Sequence, residues 1–180
     1  MPTRKTKRGA ERTPLSGDAD VLICGASFAG LTVARELAGS GARVLVLDRY
    51  EIGERQTSAC AAPTEWLRAM GLEGSMRQTF SDLVVHTPHG SSRYRLPWTF
   101  STFDYRELCG LLAGQGEFEF ETAKVDGRTG TTVHTDRGDV SAPLAAAVHL
   151  LDVRLPAAVR AAVGAVRRGV RDGESGGAAV

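Results

Sequence analysis

One stretch constrains this chain more than any other: Asp20-Val-Leu-Ile-Cys24, then Gly25-Ala-Ser27-Phe-Ala-Gly30, then Leu31-Thr-Val33-Ala34-Arg-Glu-Leu37. A short apolar run meets a glycine turn, and the turn leads directly into a helical pattern. A second apolar run, Arg43-Val-Leu-Val-Leu-Asp48, follows at once. The order is strand, tight turn, helix, strand. Gly25 lets the chain leave the first strand where a side chain would obstruct the turn. Gly30 and Ala34 keep one helix face small, so the helix can lie close to the sheet, and Val33 and Leu37 add apolar contacts at i and i+4. Gly39 and Gly41 are stop signals for the helix.

The same stretch has a chemical consequence. The backbone amides of Ser27, Phe28 and Ala29 fall at a helix start, unpaired by the helix and at its positive dipole end, where a pyrophosphate fits. Asp48 ends the second strand, 18 residues after Gly30, where its carboxylate can accept from the ribose hydroxyls of an adenosine. The segment therefore reads as a dinucleotide-binding β-α-β unit, with Gly25, Ala26, Ser27, Phe28, Ala29, Gly30 and Asp48 as candidate binding residues. The middle glycine of the G-x-G-x-x-G pattern is Ser27 here, which adds a β-carbon but also a hydroxyl able to donate to a phosphate oxygen. The competing reading is a glycine turn that only packs a helix on a sheet. The flanking strands, Ala34, Gly41 and the terminal Asp48 favour nucleotide binding.

Charge narrows the function further. The formal net charge is +1, but residues 1–17 hold five Lys or Arg against one Glu, while residues 18–142 hold twelve basic and seventeen acidic side chains. An acidic body argues against a nucleic-acid enzyme, which needs clustered basic charge for phosphate contacts. The basic start reads as a disordered leader, with a nucleic-acid or membrane arm as the alternative. It precedes no apolar signal-peptide core, and no apolar run approaches a membrane span. Cys24, Cys60 and Cys109 share no metal or redox spacing, and no metal site is expected; an odd, unpaired count suits a reducing cytoplasm.

Along the chain, residues 49–62 form an aperiodic loop and Pro63–Gly71 a short helix. Leu83–Thr87 and Arg93–Leu96 pair across a Pro88-His89-Gly90 turn. Asp104 caps a helix carrying Leu108, Leu111 and Leu112. Phe118–Glu121 alternates as a strand, and Thr131–Thr135 with Asp139–Ala142 forms a hairpin. The expected fold class is α/β: a Rossmann-like, FAD/NAD(P)-binding parallel sheet with an antiparallel β appendage, incomplete at the C-terminus. Three regions follow: a basic tail at 1–17, a partial nucleotide-binding domain at 18–143, and a biased tail at 144–180. In that tail 27 of 37 residues are Ala, Val, Arg or Gly, and no aromatic residue follows Phe120. Valines at 159, 163, 166 and 170 have helical spacing, which reads either as an accident of composition or as a basic amphipathic helix docking on a partner or membrane surface.

The Gly25–Gly41 spacing followed by Leu45-Val-Leu-Asp48-Arg49 resembles the FAD-binding start of glutathione-reductase-type flavoproteins. Glu54-Arg55-Gln-Thr-Ser-Ala-Cys60-Ala-Ala-Pro63, with Pro97-Trp98-Thr-Phe100 and Phe103-Asp104, resembles the geranylgeranyl reductase family, which is close in fold to flavin-dependent aromatic hydroxylases and tryptophan halogenases. The resemblance covers about residues 18–143. It implies non-covalent FAD as cofactor and reduction of isoprenoid double bonds by hydride from the flavin ring, with NAD(P)H a candidate electron donor. It also implies an isoprenoid or other apolar small-molecule substrate; no nucleic-acid partner is expected from the acidic body and a cytoplasmic setting from the cysteines, with peripheral membrane contact left as an alternative. By the resemblance, Gly25 to Gly30 hold the pyrophosphate, Asp48 the ribose with Arg49 beside it, Arg106 the ribityl-phosphate side, and the Val125 backbone the adenine. Cys60 stands where that family has a cysteine near the flavin, as proton relay, pocket wall or plain buried thiol.

The resemblance ends where the family continues into a segment approaching the flavin, a substrate sheet and a second Gly-Asp motif. This chain has Ala145–Asp152 and the biased tail instead, which raises the expectation of an incomplete copy, through early termination or a frame shift, that does not turn over alone. The rival readings are a fragment of a monooxygenase or halogenase, a non-catalytic nucleotide-binding module, and an NAD-binding dehydrogenase fragment.

Overall fold

The computed structural model describes residues 13–56 and 60–147. Its strands are β1 (Gly17–Asp18), β2 (Val21–Cys24), β3 (Val44–Asp48), β4 (Ala61–Pro63), β5 (Met76–Thr87), β6 (Gly90–Phe103), β7 (Glu119–Thr122), β8 (Val125–Thr129), β9 (Thr132–Thr135), β10 (Gly138–Ser141) and β11 (Leu144–Ala147). The helices are α1 (Phe28–Glu36), α2 (Thr64–Ala69) and α3 (Tyr105–Ala113).

The centre is a four-stranded parallel sheet in the order β11-β2-β3-β7. Alternation along the strands divides its apolar residues between two faces. Val21, Ile23, Val44 and Val46 face a cluster completed by Leu31, Val33 and Ala34 from α1, by Leu37 just past its end, and by Leu108, Cys109 and Leu112 from α3. Leu22, Leu45 and Leu47 face the other way and pack with Val133, Val140 and Ala142. The second layer is a sheet ordered β1-β10-β9-β8, antiparallel from β8 to β10, with β1 added parallel to β10. A third sheet, β4-β6-β5, is dominated by the long antiparallel ribbon of β5 and β6. The α/β class, the parallel sheet and the antiparallel appendage agree with the sequence reading.

Several boundaries move. The expected strands at 83–87 and 93–96 are only the outer part of a ribbon that begins at Met76 and ends at Phe103. The inner part is held by Ser101, whose hydroxyl is 2.8 Å from both Thr64 Oγ1 and Thr79 Oγ1; these hydroxyls break the apolar alternation that sequence reading follows. Phe118 stands just outside β7, and β8 makes the expected hairpin three-stranded. The aperiodic loop ends in β4. The parallel sheet extends past the compositional boundary at 143, because Leu144–Ala147 pairs with Val21–Cys24. The end of the basic tail is also in the fold: Leu15 N–H donates to Arg137 O at 2.8 Å, and Gly17–Asp18 pairs with Val140–Ser141. Residues 1–12 and 148–180, with the valine stripe, lie outside the described residues. Among the described residues no helix is long and apolar enough to cross a membrane, and no group of side chains could hold a metal ion.

Candidate functional site

The turn from β2 into α1 is built on Gly25, whose φ of 113° is a value that residues with a β-carbon rarely adopt. Its N–H donates to Leu47 O at 2.7 Å, which ties the turn to β3. Gly30 sits one helical turn on. A β-carbon there would lie 1.8 Å from the Gly25 carbonyl oxygen and 3.4 Å from Ile23 Cγ2. Gly30 therefore serves the approach of helix to turn even more than that of helix to sheet. Ser27 is the N-cap residue of α1, with extended φ and ψ of −76° and 172°, and its hydroxyl makes no capping bond. That hydroxyl and the first-turn amides beyond Phe28, whose own backbone N–H is turned to the Cys109 sulfur, are the donors left to the turn.

Asp48 closes the site from the next strand. Its Oδ2 accepts from the Ala26 backbone N–H at 2.7 Å and its Oδ1 from the Tyr50 N–H at 2.9 Å. The half-buried carboxylate thus holds the turn itself and still has lone pairs for a hydroxyl. Its backbone oxygen accepts from Ala123 N–H at 2.8 Å, and Val125 opens β8 two residues later. Asp48 on β3 and Val125 on β8 are thereby linked through Ala123. Arg49 is exposed beside Asp48.

The start of α3 borders the same turn. Asp104 caps it by accepting from Glu107 N–H at 3.0 Å, as the sequence predicts. That bond, ahead of the Arg77 guanidinium, holds the Asp104 carboxyl below its ordinary range against an opposing effect of burial. Phe28 at the start of α1 meets Tyr105 edge-on, with centroids 6.4 Å apart. Arg106 follows Tyr105 and is exposed. Gly53, with φ of 71°, presses against the Arg106 backbone; a β-carbon on it would lie 2.8 Å from Arg106 Cα. The loop after Asp48 is braced further by the Arg55 guanidinium, which stands over the Tyr50 ring at 5.0 Å and hydrogen-bonds its hydroxyl. Gly53, Tyr50 and the Phe28–Tyr105 contact were not found by sequence reasoning, and Arg55 entered it only as part of the Glu54–Pro63 motif, without this role. The lone glycine in an aperiodic loop was the one available signal.

Cys60 is half-buried at the entry to β4, packed against the α1–α3 cluster that includes Cys109, and its carbonyl accepts from Phe103 N–H at 3.0 Å. Burial, with a smaller contribution from Asp104, raises its pKa, so it is a thiol at neutral pH. Cys109 is fully buried and is pushed up to about 11, chiefly by desolvation, against hydrogen bonds from Tyr105 and the Phe28 backbone. A separate cavity of about 510 Å³, lined by residues including Leu15, Arg43, Glu119 and Arg137, opens at the other end of the strands, away from Gly25 and Asp48.

Residues 20–70 match a family model described as DAO, FAD dependent oxidoreductase. No curated protein sequence matches the chain significantly. Among solved structures, the chain is similar to PqsL, a probable FAD-dependent monooxygenase from Pseudomonas aeruginosa. Identity is 16% and the TM-score 0.56, over 71% of this chain and 41% of that one. A geranylgeranyl bacteriochlorophyll reductase-like protein from Thermoplasma acidophilum is 16% identical with a TM-score of 0.58, over 74% and 40%. The flavin-dependent brominase Bmp2 is 12% identical with a TM-score of 0.58, over 75% and 39%. The fold is that of the FAD-binding flavoenzymes. The chain spans about two fifths of the length of these flavoenzymes, and its match to the family model covers the turn, α1 and Asp48.

Proposed function

We propose that this chain provides the FAD-binding part of a flavin-dependent oxidoreductase. The observation that carries the reading is the joint between Gly25 and Gly30: a β-carbon at Gly30 would strike the Gly25 carbonyl at 1.8 Å, directly below a helix start whose Ser27 hydroxyl is uncommitted. Such a joint brings backbone amides up to a phosphate without an intervening side chain. In this reading Gly25 to Gly30 hold the pyrophosphate, and Asp48 takes a ribose hydroxyl with its remaining lone pairs, with Arg49 beside it. The Val125 backbone meets the adenine, and Arg106 serves the ribityl-phosphate side. The flavin, when bound, supplies hydride transfer at N5, while the chain supplies position and field. Cys60, held as a neutral thiol, acts as a proton donor or a wall of the pocket rather than as a nucleophile.

The substrate in this reading is an isoprenoid or other apolar small molecule whose double bond is reduced, with NAD(P)H as electron donor. The likeness to the geranylgeranyl bacteriochlorophyll reductase-like protein of Thermoplasma acidophilum supports the isoprenoid part of it. A second reading, a flavin monooxygenase or halogenase, is supported by the likeness to PqsL and Bmp2. Oxygen separates the two: reduction of a double bond proceeds anaerobically, whereas the other chemistries require dioxygen. The cofactor assignment is tested by titrating folded protein with FAD and following flavin fluorescence. Saturable binding is expected, and its absence at high micromolar FAD overturns the proposal.

A further inference from the structure

We infer that Asp48 is a positioning residue for the pyrophosphate turn, and not only a partner for ribose; the identity of the natural ligand rests on the FAD-binding reading above. The carboxylate bridges two backbone amides, Ala26 in the turn at 2.7 Å and Tyr50 in the outgoing loop at 2.9 Å. Its platform is fixed on both sides of the strand: Leu47 O accepts from Gly25 N–H at 2.7 Å, and Asp48 O accepts from Ala123 N–H at 2.8 Å. Ala26 immediately precedes Ser27, the N-cap residue of α1, and is 4% exposed. Fixing the Ala26 amide therefore fixes the peptide that aims the first helical amides. Asp48 does this through protein atoms alone, and charge-assisted bonds to backbone amides are the strong kind.

The two roles predict opposite signs for one measurement. If Asp48 served ribose alone, removing its negative charge would leave the binding of inorganic pyrophosphate unchanged or tighten it, because an anion near the site would be gone. If Asp48 braces the turn, removal disorders the amides and weakens pyrophosphate binding although the repulsion has been relieved.

The experiment compares wild type, Asp48→Asn and Asp48→Ala by titration with inorganic pyrophosphate and, separately, with adenosine, and by amide hydrogen exchange at Ala26 in nucleotide-free protein. Asp48→Ala is expected to weaken pyrophosphate binding at least about tenfold, the worth of one charge-assisted hydrogen bond, and to speed exchange at Ala26. Asp48→Asn, whose carboxamide oxygen replaces one acceptor, restores part of both. Unchanged or tighter pyrophosphate binding by Asp48→Ala overturns the inference. So does an unprotected Ala26 amide in the wild type, a measurement that stands even where the alanine variant fails to fold. Failure of wild-type protein to bind pyrophosphate overturns it as well. FAD failing to bind a protein that does bind pyrophosphate and protects Ala26 removes the flavin reading and leaves the brace standing.

Discussion

Gly30→Ala is the substitution with the most direct structural forecast. The added β-carbon would stand 1.8 Å from the Gly25 carbonyl oxygen, where real β-carbons essentially never come within 3.0 Å, and 3.0 Å from the carbonyl carbon. The obstacle is backbone, so either the turn or the helix must retreat by more than an ångström. Replacing a helix-interior glycine by alanine would by itself gain about 1 kcal/mol. Overpacking costs about 1–3 kcal/mol, with the upper end appropriate to a rigid backbone neighbour. The net expectation is a loss of about 2 kcal/mol, or roughly 4–8 °C in melting temperature for a chain of this size. FAD affinity should fall at least about tenfold as a cradle amide moves out of line. Gly110 is the matched control: it is also inside a helix, is exposed, and has nothing within 4 Å of its would-be β-carbon. Gly110→Ala should raise the melting temperature by about 2–4 °C and leave FAD binding unchanged. Thermal melts and flavin titrations on the two variants decide the matter. A Gly30→Ala protein that melts at or above wild type and binds FAD equally well refutes the close joint.

Other outcomes follow from the same geometry. The Asp48 carboxylate would face a 2′-phosphate, so NAD should compete for the site better than NADP; tighter NADP binding in a competition titration removes the ribose assignment. Arg137 is 7% exposed in its side chain and donates to Glu121, Thr122 O and Thr13 O; Arg137→Ala should cost about 1–3 kcal/mol in urea unfolding, since it removes a buried guanidinium's charge-assisted bond to Glu121 together with two bonds to backbone carbonyls. Asp104 titrates below its ordinary 3.8 when folded, so its contribution is complete above that value and is lost as pH falls through the lowered one. Acid melts should therefore decline less steeply for Asp104→Asn than for wild type. Cys109 ionises near 9.0 when unfolded and about 11 when folded, so stability falls as pH rises through that window, and Cys109→Ala should flatten the alkaline limb of a melting curve.

The parts of the fold legible in the sequence are those where one local rule acts alone. Val21–Ile23 and Val44–Leu47 are buried on both faces and read as unbroken apolar runs. Asp104 caps α3 through its own side chain, within three residues of the amide it serves. The outer part of the ribbon was legible from its turn, although Leu83, Val85 and Tyr94 are exposed; the inner part was missed because it is held by the hydroxyls of Thr64, Thr79 and Ser101, which interrupt the alternation of a half-buried strand. β8 was missed for a related reason. Val125-Asp-Gly-Arg-Thr129 carries little strand propensity, and it is the neighbouring β9 that holds it in the sheet.

The site was legible as a spacing and illegible as a mechanism of support. Gly25, Gly30 and Asp48 announce themselves because a tight turn, a close helix and an acid at a strand end need those residue types at those intervals. Nothing in the spacing shows that Asp48 spends both oxygens on backbone amides, since those partners, Ala26 and Tyr50, are named by no side-chain chemistry. Gly53 makes the same point. Its need for a positive φ and for an absent β-carbon arises from the backbone of Arg106, a residue on a helix more than fifty positions later. The contacts that orient the cradle run through main-chain atoms, and main-chain atoms are common to every sequence. Local chemistry therefore names the residues of the proposed cradle, whereas the bracing of those residues comes from tertiary packing around Asp48, Gly53 and the Phe28–Tyr105 contact.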